Sequence, residues 1–179
     1  MKDLAAILDL NGDPSTKAYR KGDIIQRADD RHVSAIYVKQ GLLRSYLIDS
    51  KGREHVYMFA PEGWIIGDVE AMEYDQPVQL YIDCLEDSVV VPLDKGVLFS
   101  ADLPAAQLSD NAQLLYRRIG RLQRRVLMLM GAPIIDRYRY FVKTYPELPN
   151  RVPQHMIASF LGVAPQTLST VRGKIARSG

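Results

Sequence analysis

Between Ser15 and Asp94 the apolar residues come in short runs, several of them alternating with polar positions, and Gly, Asp and Pro separate the runs. This pattern predicts an antiparallel all-β unit, because a period of two suits a strand with one buried face and the intervening residues favour turns. The runs are Ile24-Ile25, Ala35 to Lys39, Leu42 to Ile48, His55 to Ala60, Trp64 to Ile66, Leu80 to Leu85 and Ser88 to Leu93. Gly22, Gly41, Gly52, Gly63 and Gly67 mark turns where a positive φ is expected. Seven or eight strands at this spacing suggest a sandwich or jelly roll. Asp94 is placed to N-cap a short helix through Phe99.

Beyond Pro104 the period changes to a helical one. Leu108, Ala112, Leu115, Ile119, Leu122, Val126 and Leu129 follow each other at spacings that alternate between 4 and 3. That is a heptad seam, and it predicts a two-helix coiled coil. Leu at one core position with Ala, Ile and Val at the other fits a parallel dimer. Arg117, Arg118, Arg121, Arg124 and Arg125 fall off the seam. The competing expectation is that the stripe packs only on its own β unit, which ordinarily calls for a wider apolar face. Gly131-Ala132-Pro133 ends this helix and suggests a hinge. A further amphipathic helix is expected from Ile134 to Tyr145, with Ile135, Tyr138, Phe141 and Val142 inward, stopping before Pro146 and Pro149.

Residues Gln154 to Gly173, QHMIASFLGVAPQTLSTVRG, meet the packing demands of a helix-turn-helix. Ala158 is small where two helices would cross, and Gly162 stands where the turn needs a left-handed residue. Ile157, Leu161, Val163, Leu168 and Val171 are apolar at the positions that close a small core. Pro165 takes a first-turn position, where its missing N–H costs nothing. The second helix, Pro165 to Ala176, would then enter a major groove. Gln166, Thr167, Ser169 and Thr170 face the base edges, with Gln166 able to make a bidentate contact to adenine. Arg151, His155, Arg172 and Lys174 are placed near the phosphates, which position a protein without reading sequence, and Gln154 is a further candidate for DNA contact.

Composition and charge sharpen this picture. Of 179 residues, 47% are hydrophobic and 25% charged, enough for a sizeable core and contrary to disorder. Residues 1–106 carry 11 Lys and Arg against 18 Asp and Glu, a net of −7, whereas residues 107–179 carry 12 against 3, a net of +9. The basic half suits a polyanion partner. A single cysteine, Cys84, cannot form an internal disulfide or an all-cysteine zinc site, and it is expected as a small buried hydrophobe in a strand. His32, His55 and His155 lack ligand spacing, so no metal is expected, and no nucleophile motif, P-loop or dinucleotide fingerprint points to an enzyme or a cofactor. The longest apolar run, Val126 to Ile135, is about half a membrane span. A soluble cytoplasmic protein with no membrane partner is expected.

An acidic β-roll, a long seam helix and a helix-turn-helix together resemble the Crp/Fnr superfamily of bacterial transcription regulators. The likeness is carried by YRKGDII (Tyr19 to Ile25), IYVKQGLLRSY (Ile36 to Tyr46), GWIIGD (Gly63 to Asp68), LEDSVVVPLDK (Leu85 to Lys95) and RVPQHMIASFLGVAPQTLSTVR (Arg151 to Arg172). It implies an α+β fold with a jelly roll like that of cyclic-nucleotide-binding domains over residues 1–106, a dimerisation helix over 107–131 and a helix-turn-helix domain over 132–179. It also implies a homodimer on a roughly palindromic operator of double-stranded DNA, in contact with RNA polymerase.

Two departures qualify the likeness. Nucleotide-binding relatives clamp the ribose and cyclic phosphate with Gly-Glu followed by an Arg-Ser/Thr-Ala element. Here Gly67-Asp68 stands for the first, but the second falls on Val78-Gln79-Leu80, with no arginine between Arg53 and Lys95. A buried monoanion would lack its charge-assisted partner, so the expectation is no response to cyclic AMP. No β-hairpin wing like that of many relatives is expected after Gly173, and Thr170 and Gly173 stand where relatives often carry basic residues. Two other functional classes remain open from sequence. One is a small-molecule-binding β-roll whose helical tail only dimerises, and the other is a protein-interaction module whose reading helix does not meet DNA.

Overall fold

In a computed structural model, residues 15–31, 34–93 and 103–178 are described. The helix expected from Asp94 to Phe99 lies outside them, as does His32. Two compact units partition the chain: one takes residues up to Arg53 together with Tyr57–Leu115, the other takes Glu54–Val56 and the residues from Tyr116 onward.

In the first unit the alternating runs become eight strands among the described residues: β1 (Lys17–Tyr19), β2 (Ile24–Gln26), β3 (Ala35–Gln40), β4 (Leu42–Ile48), β5 (Glu54–Pro61), β6 (Ile65–Ile66), β7 (Tyr81–Cys84) and β8 (Ser88–Leu93). They form two four-stranded sheets, ordered β1-β8-β3-β6 and β2-β7-β4-β5. Strand β1 is not among the predicted runs, because three residues of which only Tyr19 is partly covered are too few to show alternation. It pairs antiparallel with β8, Lys17 opposite Val90.

Strand β3 is buried on both faces, which the period of two explains. Ile36 and Val38 point to the cluster between the sheets, with Leu43, Met58, Ala60, Ile66, Ile82, Cys84 and Val90. Ala35 and Tyr37 point the other way, to a second cluster with Val91 and Leu93. That outer cluster is overlaid by Met72 of a short helix the sequence pattern does not predict, α1 (Val69–Tyr74). Burying side chains such as Phe59, Leu42 and Ile82, all fully enclosed, stabilises the roll by roughly 1.5–3 kcal/mol each. On the β4–β7 face away from that inner cluster, Arg44 is bonded to both carboxylate oxygens of Asp83, at 2.8 and 2.9 Å, and lies 4.1 Å from the centre of the Tyr46 ring.

Gly22, Gly41, Gly52 and Gly63 have positive φ as expected, but Gly67 does not. Its reason is space: a Cβ there would sit 3.2 Å from Ala35 Cα.

The seam helix, α2 (Ala105–Gly131), runs for 27 residues. Asn111 is the one residue along it that the chain itself buries. Of the seam, Leu108, Ala112, Ile119 and Val126 are exposed and Leu115, Leu122 and Leu129 are half-buried. Helices α3 (Ile134–Thr144), α4 (Leu148–Arg151), α5 (Gln154–Leu161) and α6 (Pro165–Ser178) follow. The four-residue α4 is an addition to the sequence reading: Pro149 sits in its first turn, where proline is tolerated, rather than merely ending the preceding segment. Among the described residues, no helix is long and apolar enough to cross a membrane.

Candidate nucleic-acid interface and the β-roll cup

Helices α3 and α5 of the second unit pack against α6 and set its angle. Phe141 of α3 is fully buried, its ring 5.5 Å from that of Tyr145 and 5.6 Å from that of Phe160 in α5, and Tyr145 meets Phe160 edge to face at 6.0 Å. Ile157, Ala158, Leu161, Leu168 and Val171 are all buried, and Val163 is half-buried. Ala158 is wholly enclosed at the helix crossing, as its size requires.

The turn between α5 and α6 is built on Gly162, at φ 70 and ψ 36. Its N–H and that of Val163 close on the last carbonyls of α5, Val163 N donating to Ala158 O at 3.0 Å, the double closure typical of a left-handed helix end. A Cβ on Gly162 would come 3.3 Å from Leu129 Cδ2. Arg137 fastens the same corner, its Nε donating to Ala132 O at 2.9 Å and its Nη1 to Leu161 O at 3.1 Å. No local pattern singles out Arg137, since both its partners are backbone carbonyls.

With Leu168 and Val171 inward, the helical period turns Gln166, Thr167, Ser169 and Thr170 outward, and all four are exposed. Lys174 and His155 are exposed as well, while Gln154 and Arg172 are half-buried. Arg151 is half-buried too, and its Nη1 lies 3.5 Å from a carboxylate oxygen of Glu147, so contact with a phosphate would require it to exchange partners. The Thr170 hydroxyl donates to Gln166 O at 3.1 Å, and Arg177 curls back to donate to Gly173 O at 3.0 Å. Arg125, off the seam, is not simply solvated: it donates to Phe160 O and stacks 4.3 Å from the centre of that ring.

The β-roll contains the second set of predicted residues, Gly67, Asp68, Val78, Gln79 and Leu80. Asp68 is buried at 6% exposure and N-caps α1, accepting from Ala71 N at 3.2 Å. Its other carboxylate oxygen accepts from Gln79 N at 2.9 Å and Leu80 N at 3.3 Å. The amide of Val78 donates to Asp30 O at 3.0 Å, and the Val78 side chain is buried. Every amide of the 78–80 segment is therefore spent within the chain, two of them on a carboxylate. An anion arriving there would meet no free backbone N–H and a like charge.

Cys84, in β7, is 2% exposed, and burial pushes its thiol up to about 11 despite a hydrogen bond with Ser88. That is the behaviour of an inert core thiol.

Residues 16–101 match the family of the cyclic nucleotide-binding domain. FixK2 from Bradyrhizobium japonicum superposes with a TM-score of 0.77 at 18% identity, over 93% of this chain and 86% of that one. A transcriptional regulator of the CRP/FNR family from Thermus thermophilus gives 0.66 at 22%, over 92% and 87%. The chain has the fold of the CRP/FNR regulators. A CooA variant from Carboxydothermus hydrogenoformans agrees, at 0.69 and 19% over all of this chain and 82% of that one. No curated protein matches the sequence.

Proposed function

We propose that this protein is a DNA-binding transcription regulator that acts as a homodimer and does not depend on cyclic AMP. The observation that carries this reading is the α6 surface: Gln166, Thr167, Ser169 and Thr170 stand exposed on one helix whose opposite side is locked by Leu168 and Val171. Short polar side chains on a rigidly held helix suit base edges in a major groove, with Gln166 paired to adenine. Arg172 and Lys174 in α6, with Arg151 in α4 and Gln154 and His155 at the start of α5, supply phosphate contacts.

The dimer rests on the seam. Ile119 and Val126 are 59% and 54% exposed in the single chain, and their alternation with Leu115, Leu122 and Leu129 is that of helices meeting knobs into holes. Two helix-turn-helix heads held this way favour half-sites one duplex turn apart, about 10–10.5 base pairs. Independence from cyclic AMP rests on the Asp68 cup, in which a buried carboxylate already holds the Gln79 and Leu80 amides. The charge division and the absence of a membrane-crossing helix among the described residues agree with a soluble cytoplasmic regulator.

Selection of bound duplexes from a random pool, with and without cyclic AMP, tests the reading. The expected result is a two-fold motif recovered equally in both arms. No enrichment would overturn DNA binding, and enrichment only with nucleotide would overturn the closed cup.

A further inference from the structure

Among the outward residues of α6, Thr170 differs from its neighbours in that its hydroxyl proton is engaged, donated at 3.1 Å to the carbonyl of Gln166 one turn back. Threonine in a helix commonly makes this bond, which fixes the rotamer of its two-branched side chain. The hydroxyl then has no proton to offer O4 of thymine, O6 of guanine or N7 of either purine. Its oxygen can still accept from an amino group, and beside it on this exposed residue stands a methyl group. We infer that Thr170 reads thymine through its 5-methyl group, making an apolar contact where a polar one would be assumed.

The surrounding chemistry agrees. Gln166 precedes Thr170 by one helical turn, so the two lie on the same face and address neighbouring bases. Gln166, suited to adenine, and Thr170, suited to thymine, together favour an A·T-rich half-site, and α6 has no arginine before Arg172 with which to select guanine. The inference rests on the proposed DNA-binding function and adds one specificity-determining residue to it.

The test uses the full-length chain and a duplex recovered by selection, with deoxyuridine replacing thymidine at one position of the half-site at a time. At the contacted position, loss of the base methyl should weaken wild-type binding about fourfold, the worth of one buried methyl group. Replacing it in both half-sites should weaken binding about fifteenfold, the product of two such losses. Thr170→Val keeps a methyl and removes the hydroxyl, and it should retain the preference for thymine over uracil. Thr170→Ser keeps the hydroxyl and removes the methyl, and it should bind both equally. Circular dichroism checks that both exposed substitutions leave the helices intact. Equal wild-type affinity for thymine and uracil at every position would overturn the role of Thr170 while leaving DNA binding in place. A preference kept by Thr170→Ser, or binding lost in Thr170→Val, would overturn it in favour of a hydroxyl contact. Failure to retain any duplex would overturn both this inference and the function on which it rests.

Discussion

Replacing Asp68 with Ala removes three hydrogen bonds at once, and the structure lets the loss be apportioned. The N-cap bond to Ala71 N, at 3.2 Å, is worth about 1 kcal/mol. The Gln79 and Leu80 amides, bonded at 2.9 and 3.3 Å, would be left without a protein partner in a part-buried site, at about 1–3 kcal/mol each, with the longer bond at the low end. The sum is a loss of about 3–5 kcal/mol from the β-roll. Asp68→Asn keeps an oxygen acceptor but not its charge, and should cost about 1–2 kcal/mol, since charge-assisted bonds are roughly twice as strong as neutral ones. The single tryptophan, Trp64, packs on the inner β cluster and reports on this unit specifically. Urea unfolding followed by its fluorescence should show the Ala midpoint lowered by about 2 M, given a slope of about 2 kcal/mol per molar. The wild-type midpoint should not move in millimolar cyclic AMP, because a ligand raises stability only by binding the folded state. An Ala variant within a few tenths of a molar of wild type would refute the internal bonding, and a nucleotide-induced rise in the wild type would refute the closed cup.

Ile119→Asp should leave the single chain folded, because Ile119 is 59% exposed there, yet shift sedimentation at micromolar concentration from two chains to one; an unchanged dimer would remove the seam from the interface. Gln166→Ala should cost about 1–3 kcal/mol of discrimination at one base pair, whereas Lys174→Ala should weaken all duplexes alike and reduce the salt slope by about one; filter-binding titrations across single-base variants separate the two. Cys84, with its thiol pushed up to about 11 by burial, should resist alkylation at pH 8.5 until urea unfolds the roll. The unfolded thiol loses its proton first, so the associated stability of up to about 3 kcal/mol is complete below pH 9 and is lost as pH rises through 11. Urea midpoints at pH 8 and pH 11 should therefore fall further for wild type than for Cys84→Ala.

What was legible in the sequence was whatever a local period carries. The heptad of α2 repeats often enough to be read directly, the apolar runs of β3, β4 and β8 stand out between their turn residues, and the Gly162 turn announces itself through a residue type that only a left-handed backbone requires. The Asp68 cup was half legible. Val78 in place of an arginine signalled that a phosphate lacks its partner, but nothing indicated that Asp68 itself holds the Gln79 and Leu80 amides. Backbone N–H groups carry no letter, and the contact spans a loop. Arg137 and Thr170 were obscure for the same reason, since each bonds to main-chain carbonyls. Strand β1 was missed because its sequence, KAY, has no apolar pair to mark a run, and helix α4 because four residues are too few to establish a helical period.

Titration of the selected duplex with protein, from 50 to 200 mM salt, tests the central claim most directly. Two chains should bind one duplex, and with Arg151, Arg172 and Lys174 from each of the two copies on phosphates, the logarithmic salt slope should be about −5. One chain per duplex, or an affinity indifferent to salt, would contradict a dimer that grips DNA through paired α6 helices.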